Sequence, residues 1–251
     1  MIRNRVTVDS HVHTDFSSDC KTSMEKMAAT APSLGLTDIC LTDHMDYDFP
    51  EKYEIPFVFD MEEYGKTIQS LQSYYQPSLT IRTGVELGLQ VSAEAKIKAL
   101  LNHYDFDYVI GSIHIANHMD PYHQEYWEYF ESEKKAVLFF FENTLSCLES
   151  MDIHFDSLGH LDYIIRYIPS KIYIYYIKEF GDIIDAILFT CIKKDIALEV
   201  NTSAYHRLNN NNPHPNKDVL KRYHELGGEL LTIGSDAHLP EQLGSHFTEC
   251  H

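Results

Sequence analysis

The 251-residue sequence predicts an α/β fold, a parallel barrel of seven strand–helix units, one fewer than the eightfold type. Three observations carry that expectation. Short β-branched runs alternate with longer amphipathic stretches. The gaps between the runs are long enough for crossover helices, which makes the strands parallel. Side chains able to bind metal recur at the ends of successive runs. An open doubly wound sheet satisfies the first two observations equally well. It would string the third along one edge, whereas a barrel gathers it into a ring.

The first strand is expected over residues 5–9 and runs into Asp9-Ser10-His11-Val12-His13. Alternate residues of a strand share a face, so the two imidazoles can converge on one ion with Asp9 behind them. Thr22 with Glu25 three residues on resembles a capping box, and Gly35 stops the helix that follows. The second strand, 38–42, ends in Thr42-Asp43-His44. Residues 53–77 read as helix, and the third strand, 80–87, carries Gly84-Val85-Glu86. The fourth, 108–113, leads into His114, and an aromatic-rich helix is expected over 125–151. The fifth, 157–161, holds Gly159-His160, and the sixth, 196–201, ends Glu199-Val200-Asn201. Pro215 can open a helix in which Val219, Leu220, Tyr223 and Leu226 recur at helical spacing, closed by Gly227-Gly228. The seventh strand, 231–235, finishes in Ser235-Asp236-Ala237-His238. No repeat, low-complexity stretch or linker interrupts the alternation, so residues 1–251 read as one domain.

Composition narrows the function from another side. A formal charge of −18 repels polyphosphate backbones and argues against nucleic acid as a partner. Cys20, Cys40, Cys147, Cys191 and Cys250 are scattered with no CxxC pair, which suits a reduced, cytoplasmic protein. The N-terminus, MIRNRVTVDSHVH, has no signal-peptide apolar core, and no run approaches the ~20 apolar residues of a membrane span. A membrane partner is not expected, and nothing in the sequence sets the oligomeric state.

Imidazoles mixed with carboxylates suit zinc, manganese or iron better than calcium or magnesium alone. His11, His13, His44, Glu86, His114, His160, Asp236 and His238 are too many for one ion, so two or three divalent metals are expected, with a carboxylate bridging. Asp19, in a Ser/Asp-rich loop, is a further carboxylate within reach. Adjacent metals at about 3.5–4 Å polarise a phosphoryl oxygen and generate a hydroxide nucleophile. Each residue alone is as often a packing group; their joint placement at strand ends carries the expectation. His103, His118, His123, His154, His206, His214, His224, His246 and His251 lack that placement and read as solvent or packing residues, with His118 and His206 as candidate site neighbours.

Taken together, DSHVHTDFSSDC, LTDHMD, GVELGL, IGSIHIA, LGHLDYIIRY, LEVNTSAYHR and IGSDAH resemble the PHP (polymerase and histidinol phosphatase) metallo-phosphoesterases, and within them the histidinol-phosphate phosphatase branch. The match runs in order from residue 9 to 238. The resemblance implies a distorted (β/α)7 barrel of the PHP type with a trinuclear metal site at the C-terminal ends of the strands. On that pattern His11 and His13 share one metal with Glu86 and Asp236. Asp19, where relatives often carry His, joins His44 and His238 on a second. His114 and His160 hold a third, with Glu86 bridging. A carboxylate at Asp19 lowers the net charge of the site and bears on its metal preference. The resemblance also makes Arg166 and Arg207 phosphate clamps, a role that suits forked guanidinium donors; the plainer alternative for each is a surface salt bridge. The family usually continues past Asp-x-His with a covering helix, whereas thirteen residues follow His238 here, which leaves the last barrel edge less covered.

The activity implied is hydrolysis of L-histidinol phosphate to L-histidinol and phosphate, a step of histidine biosynthesis. Arg166 and Arg207 would steady the developing charge, and Asp236 or His44 would protonate the leaving alkoxide. The alternative is a PHP-type phosphoesterase or nuclease acting on nucleotides or oligonucleotides, which the acidity and the lack of clustered Lys or Arg oppose. An amidohydrolase-type deaminase needs fewer ligands than this, and a metal-storing barrel has no use for the two arginines. The acidic loop Asp43-His44-Met45-Asp46-Tyr47-Asp48 could contact the substrate ammonium, although loop acids are more often simply solvated.

Overall fold

The computed structural model describes residues 6–171, 176–208 and 212–250, so the expected start of the first strand at Arg5, and His251, lie outside the described residues. The strands are β1 (Val8–Val12), β2 (Asp38–Leu41), β3 (His44–Met45), β4 (Thr80–Gly88), β5 (Tyr108–Ser112), β6 (Ser157–Leu158), β7 (Ala197–Asn201) and β8 (Leu231–Gly234). All pair in parallel, in the order β1-β2-β4-β5-β6-β7-β8, with β3 on β4. Asp38 sits opposite Thr80, Leu41 opposite Thr83 and His44 opposite Glu86. That constant offset makes β2 and β3 one stave interrupted at Thr42-Asp43, so eight segments build the seven staves expected. The first strand lies later than expected, which puts His11 on the strand itself.

The choice between barrel and open sheet is settled where β1 meets β8. Asp236 N donates to His11 O and His13 N to Ala237 O, each at 2.9 Å, and Val12 bridges Ala237 in parallel. The sheet curls into a nearly closed barrel. Asp9 fastens the seam from inside: its carboxylate accepts from Ser235 N (2.9 Å), Ser235 Oγ (2.6 Å) and Gly244 N (2.8 Å). It therefore ties strands together instead of backing the imidazoles.

Around the barrel run α1 (Met24–Thr30), α2 (Met61–Tyr75), α3 (Glu94–His103), α4 (Gln124–Tyr129), α5 (Glu133–Ser150), α6 (Tyr176–Lys193), α7 (Ala204–Arg207) and α8 (Lys217–Glu225). Their apolar faces bury Met27, Tyr64, Ile68, Ile97, Phe140, Phe141, Leu188 and Val219 against strand residues such as Ile39, Val85 and Leu198. Four helix expectations need correction. The α1 cap is Ser23, which accepts from Lys26 N, because Thr22 spends its hydroxyl on His238 O at 2.9 Å. The stretch 53–77 is not one helix. A 3₁₀ turn, Glu51–Tyr53, ends at left-handed Glu54, and Asp60 caps a fresh helix by accepting from Glu62 N and Glu63 N. Pro56 falls in the break, where it disfavours helix in the residue before it. The stretch 125–151 splits likewise, with Ser132 capping α5. Asn216, not Pro215, opens α8.

After β8, two 3₁₀ turns, Pro240–Gln242 and Phe247–Glu249, lie over the β8–β1 edge with Leu243 and Phe247 buried. These turns supply the cover expected to be missing there. Among the described residues no helix is long and apolar enough to cross a membrane.

Asp9→Ala would strand three donors in the seam, each worth about 1–3 kcal/mol when buried unpaired. Urea unfolding should show a loss of about 3 kcal/mol or more; an unchanged midpoint would show that the seam does not depend on Asp9.

Candidate metal centre

The C-terminal mouth of the barrel places five imidazoles around one carboxylate. Glu86, midway along the buried end of β4, has its Oε2 3.3 Å from His11 Nε2, 3.4 Å from His13 Nε2 and 3.1 Å from His44 Nδ1. Its Oε1 lies 3.3 Å from His114 Nε2 and 2.8 Å from His160 Nε2, and accepts from Ser112 Oγ at 2.7 Å. Pairing of β1 with β2 slips between Asp9 and Val12, where Thr42 Oγ1 takes the Val12 N–H at 3.1 Å. Such irregularities re-aim side chains beside sites. Here His11 and His13 end with their Nε2 atoms 2.9 Å apart.

Outer acceptors set which ring nitrogen faces inward. His11 Nδ1 donates to Glu199 Oε1 at 2.5 Å, and His114 Nδ1 donates to Asp46 Oδ2 at 2.7 Å. Ser17 Oγ donates to Asp43 Oδ1 at 2.7 Å, so His13 Nδ1, 2.9 Å from that hydroxyl, is its donor. With Nδ1 carrying the proton, each Nε2 presents a lone pair to its neighbours and to Glu86. Lone pairs and carboxylate oxygens packed this closely need a cation between them. His44 Nδ1 and Glu86 Oε2 make the same point: they lie 3.1 Å apart, out of line for a hydrogen bond, and both are buried without a hydrogen-bond partner. The residues fit divalent metal, and four overlapping groups bring ligand atoms within 4.8 Å of one another: His11/His13/Asp236, His13/His44/His238, His11/Glu86/His160 and His44/Asp46/His114.

Electrostatics agree. Burial works against charge on Glu86, yet the imidazoles of His11, His44 and His114 hold its carboxyl well below the usual range. Burial lowers His11 and His114, but Glu199 with Glu86, and Asp46 with Glu86, outweigh it and lift both well above an ordinary imidazole. Burial, and then His238, His44 and His11, push His13 well below. Without metal, protons on His11 and His114 would balance the same anions.

The remaining residues read from the sequence lie at the rim. Asp19 Oδ2 is 3.2 Å from His238 Nε2 and 3.7 Å from His44 Nε2. Asp236, in the left-handed region at φ 53°, places Oδ1 3.5 Å from both His13 Nε2 and His238 Nδ1. Its Oδ2 pairs with Arg166 Nη2 at 3.0 Å, and Arg207 Nη2 stands 3.6 Å from Oδ1. Against opposing burial, Arg207 and Arg166 hold the Asp236 carboxyl well below its usual value. Arg166 is buried, and its Nη2 also donates to Ser203 Oγ at 2.7 Å, so it is no surface salt bridge. Arg207 Nη2 approaches His238 Nδ1 at 3.3 Å. A narrow cleft opens over these groups and is lined further by Phe49, Phe57, Tyr163, Tyr167 and Asp120. His118 and His206 are exposed and do not line it.

Two acids escaped the sequence reading. Asp46 was grouped with a loop expected to be solvated, yet it is buried against His114, and a Cβ at Gly88 would come within 2.5 Å of its Cγ. Glu199 sits on β7 and carries His11 Nδ1, His160 N (2.7 Å) and Asn201 Nδ2 (3.2 Å). Its position at a strand end was the available clue.

The sequence profile of the PHP domain matches residues 9–203. The chain belongs to the PHP family. It is 37% identical over 243 residues to a probable histidinol-phosphatase of Clostridium acetobutylicum, covering 95% of this chain and 89% of that one. A histidinol-phosphatase of Lactococcus lactis is 29% identical over 242 residues, covering 94% of this chain and 85% of the relative. The crystal structure of histidinol phosphate phosphatase from Lactococcus lactis, in complex with zinc, L-histidinol and phosphate, superimposes with a TM-score of 0.86 at 27% identity. That match covers 97% of this chain and 90% of the other.

In a PHP barrel built this way, the carboxylate behind His11 governs ligand basicity. Glu199→Gln should weaken metal binding about 10–100-fold in chelator competition. Unaltered affinity would remove Glu199 from that role.

Proposed function

We propose that the chain is a metal-dependent phosphomonoesterase that hydrolyses L-histidinol phosphate to L-histidinol and phosphate in histidine biosynthesis. One observation carries the reading: a buried carboxylate ringed by five imidazoles shares its cleft with two guanidiniums, Arg166 and Arg207. Metal ligands alone would suit many hydrolases; the added arginines suit a phosphate dianion. The named activities of the relatives from Clostridium acetobutylicum and Lactococcus lactis, and the L-histidinol and phosphate held by the solved relative, support the choice of substrate.

In this reading residues 1–251 act as one cytoplasmic domain, with a small-molecule substrate and neither nucleic acid nor membrane as partner. Two to three divalent ions, zinc, manganese or iron, are held by His11, His13, Glu86 and Asp236, by Asp19, His44 and His238, and by His114 and His160, with Asp46 now added beside His114. Bound there, such ions supply Lewis acidity to a phosphoryl oxygen and acidify water. Arg166 and Arg207 bind and orient the phosphate. Asp236, held ionised by both guanidiniums, orients them and is a poor proton carrier, which leaves His44, at the cleft edge beside Asp19, as the residue that would protonate the leaving oxygen.

Phosphate release across L-histidinol phosphate, p-nitrophenyl phosphate, nucleotides and short oligonucleotides tests the assignment. Turnover of oligonucleotides but not of L-histidinol phosphate would favour a nuclease instead. Arg207→Ala should raise KM and lower kcat/KM by about tenfold or more with metal content intact, in line with the loss of a charged hydrogen bond. Unchanged kinetics would exclude Arg207 from the site. Protein purified without chelators should carry between two and three metal equivalents, and a single equivalent would sink the multinuclear centre.

A further inference from the structure

A buried acid and a buried imidazole outside the metal centre have no role so far. Asp162 and His214 stand 52 residues apart in the chain and do not line the cleft. His214 Nδ1 donates to Asp162 Oδ1, and Asn216 N donates to Asp162 Oδ2 at 3.1 Å. His214 Nε2 is buried with no hydrogen-bond partner, so the bond to Asp162 is what the ring's polar atoms achieve. A buried nitrogen left unpaired destabilises the fold, a cost that an apolar ring would avoid. Packing alone therefore does not account for the histidine.

Each partner belongs to a segment that carries one of the two arginines. Asp162 opens the 3₁₀ turn Tyr163–Tyr167, where Arg166 sits, and its carbonyl oxygen accepts from Ile165 N at 2.9 Å. His214 follows α7, which carries Arg207, and its main chain pairs in both directions with Asn201 at the end of β7 (2.7 and 2.8 Å). Asn201 Oδ1 accepts from Ser203 N at 3.0 Å and from Ser203 Oγ at 2.6 Å, and Ser203 leads directly into α7. Arg166 Nη2 donates to Ser203 Oγ at 2.7 Å, which closes a circuit from Arg166 through Asp162, His214, Asn201 and Ser203. All five residues are buried. A 3₁₀ turn of five residues and a helix of four have few hydrogen bonds of their own, so tertiary ties fix their place.

We propose that Asp162 and His214 are positioning residues, a buried clip that holds the two arginine-bearing segments at a fixed separation for a phosphate monoester. Without it, two like-charged guanidiniums on flexible stems would have to be gathered by the phosphate itself, which weakens binding. Asp236 aligns the guanidinium heads, and the clip fixes the main chain from which they extend. Its role rests on the phosphatase reading, in which both arginines meet phosphate.

His214→Phe keeps a ring of similar size and removes the donor to Asp162, whereas His214→Asn sets an amide N–H near the position of Nδ1. In the metal-loaded enzyme, the inhibition constant of inorganic phosphate should rise about tenfold in His214→Phe. Its kcat/KM for L-histidinol phosphate should fall at least as far, with metal content unchanged. His214→Asn should bring both constants back to within about threefold of wild type. Combined with Arg166→Ala, His214→Phe should cost clearly less than it costs alone, because the clip acts through that guanidinium. Should His214→Phe not fold, Asp162→Asn, whose amide cannot accept from both His214 Nδ1 and Asn216 N, should weaken phosphate inhibition several-fold in its place. Wild-type phosphate inhibition in whichever of the two variants folds, no recovery in His214→Asn, or full additivity with Arg166→Ala overturns the clip and leaves the phosphatase reading standing. Wild-type protein that neither binds inorganic phosphate nor hydrolyses L-histidinol phosphate overturns that reading, and the clip with it.

Discussion

A full negative charge at Glu86, inside the mouth of a protein barrel, costs several kcal/mol unless cations and hydrogen bonds surround it. Ser112 Oγ donates to it, and the five imidazoles set around it need protons or a shared cation to do the rest; these groups come from β1 and its end, the β2–β3 stave, β5 and the loop after it, and the end of β6. Apart from the pairs His11/His13 and Ser112/His114, these groups are far apart in sequence. The register of the staves therefore has to be right to a single residue, since a shift of one would turn each ligand to the opposite face. His44 faces Glu86 because it occupies the next in-register position on β4 after the break at Thr42-Asp43. The break itself is held by Asp43, whose carboxylate gathers Thr14 N, Thr14 Oγ1, Ser17 N and Ser17 Oγ.

The acidity of the chain acquires a local meaning from this arrangement. Glu199 behind His11, Asp46 behind His114 and Asp43 behind Ser17 and His13 are acids turned inward, each making an imidazole nitrogen point its lone pair at the centre. They tune ligands instead of repelling a polyanionic partner. Arg166 and Arg207 line the same cleft, and on the proposed reading they are the positive groups a phosphate dianion would meet, so an acidic protein can present a locally positive mouth.

Strand existence and the set of residues gathered at the barrel mouth were legible in the sequence because both follow from short-range rules. Parallel strands bury both faces and show as apolar runs, and ligands fall at their ends with a spacing of two. Helix limits were less legible. Thr22 lost its capping role to a tertiary hydrogen bond with His238 O, which no local pattern announces. The helix expected over 53–77 failed for a reason visible in the sequence, Pro56 beside Ile55, Phe57 and Val58. Asp46 was illegible because its value depends on burial and on a partner far along the chain. An acid in an acidic loop looks solvated until the fold sets His114 against it.

Asp236 shows why fold and chemistry cannot be separated at the last strand. A left-handed backbone costs an ordinary residue about 1–2 kcal/mol, less for Asp, and would favour glycine if the turn were all that mattered. The turn does matter: with φ at 53°, Asp236 N reaches His11 O and starts the seam that closes the ring. Glycine would keep that bond and lose the carboxylate, which bonds Arg166 Nη2 and Ser203 Oγ, each at 3.0 Å, and faces Arg207. Those contacts fix the carboxylate, and with the seam bond they hold the backbone in its left-handed conformation. The same residue thus closes the barrel through its backbone and aligns both arginines through its side chain. Any movement of β8 against β1 would be felt at Arg166 and Arg207, so the seam held by Asp9 sets the geometry of the cleft even though Asp9 touches none of the inward-facing imidazole nitrogens.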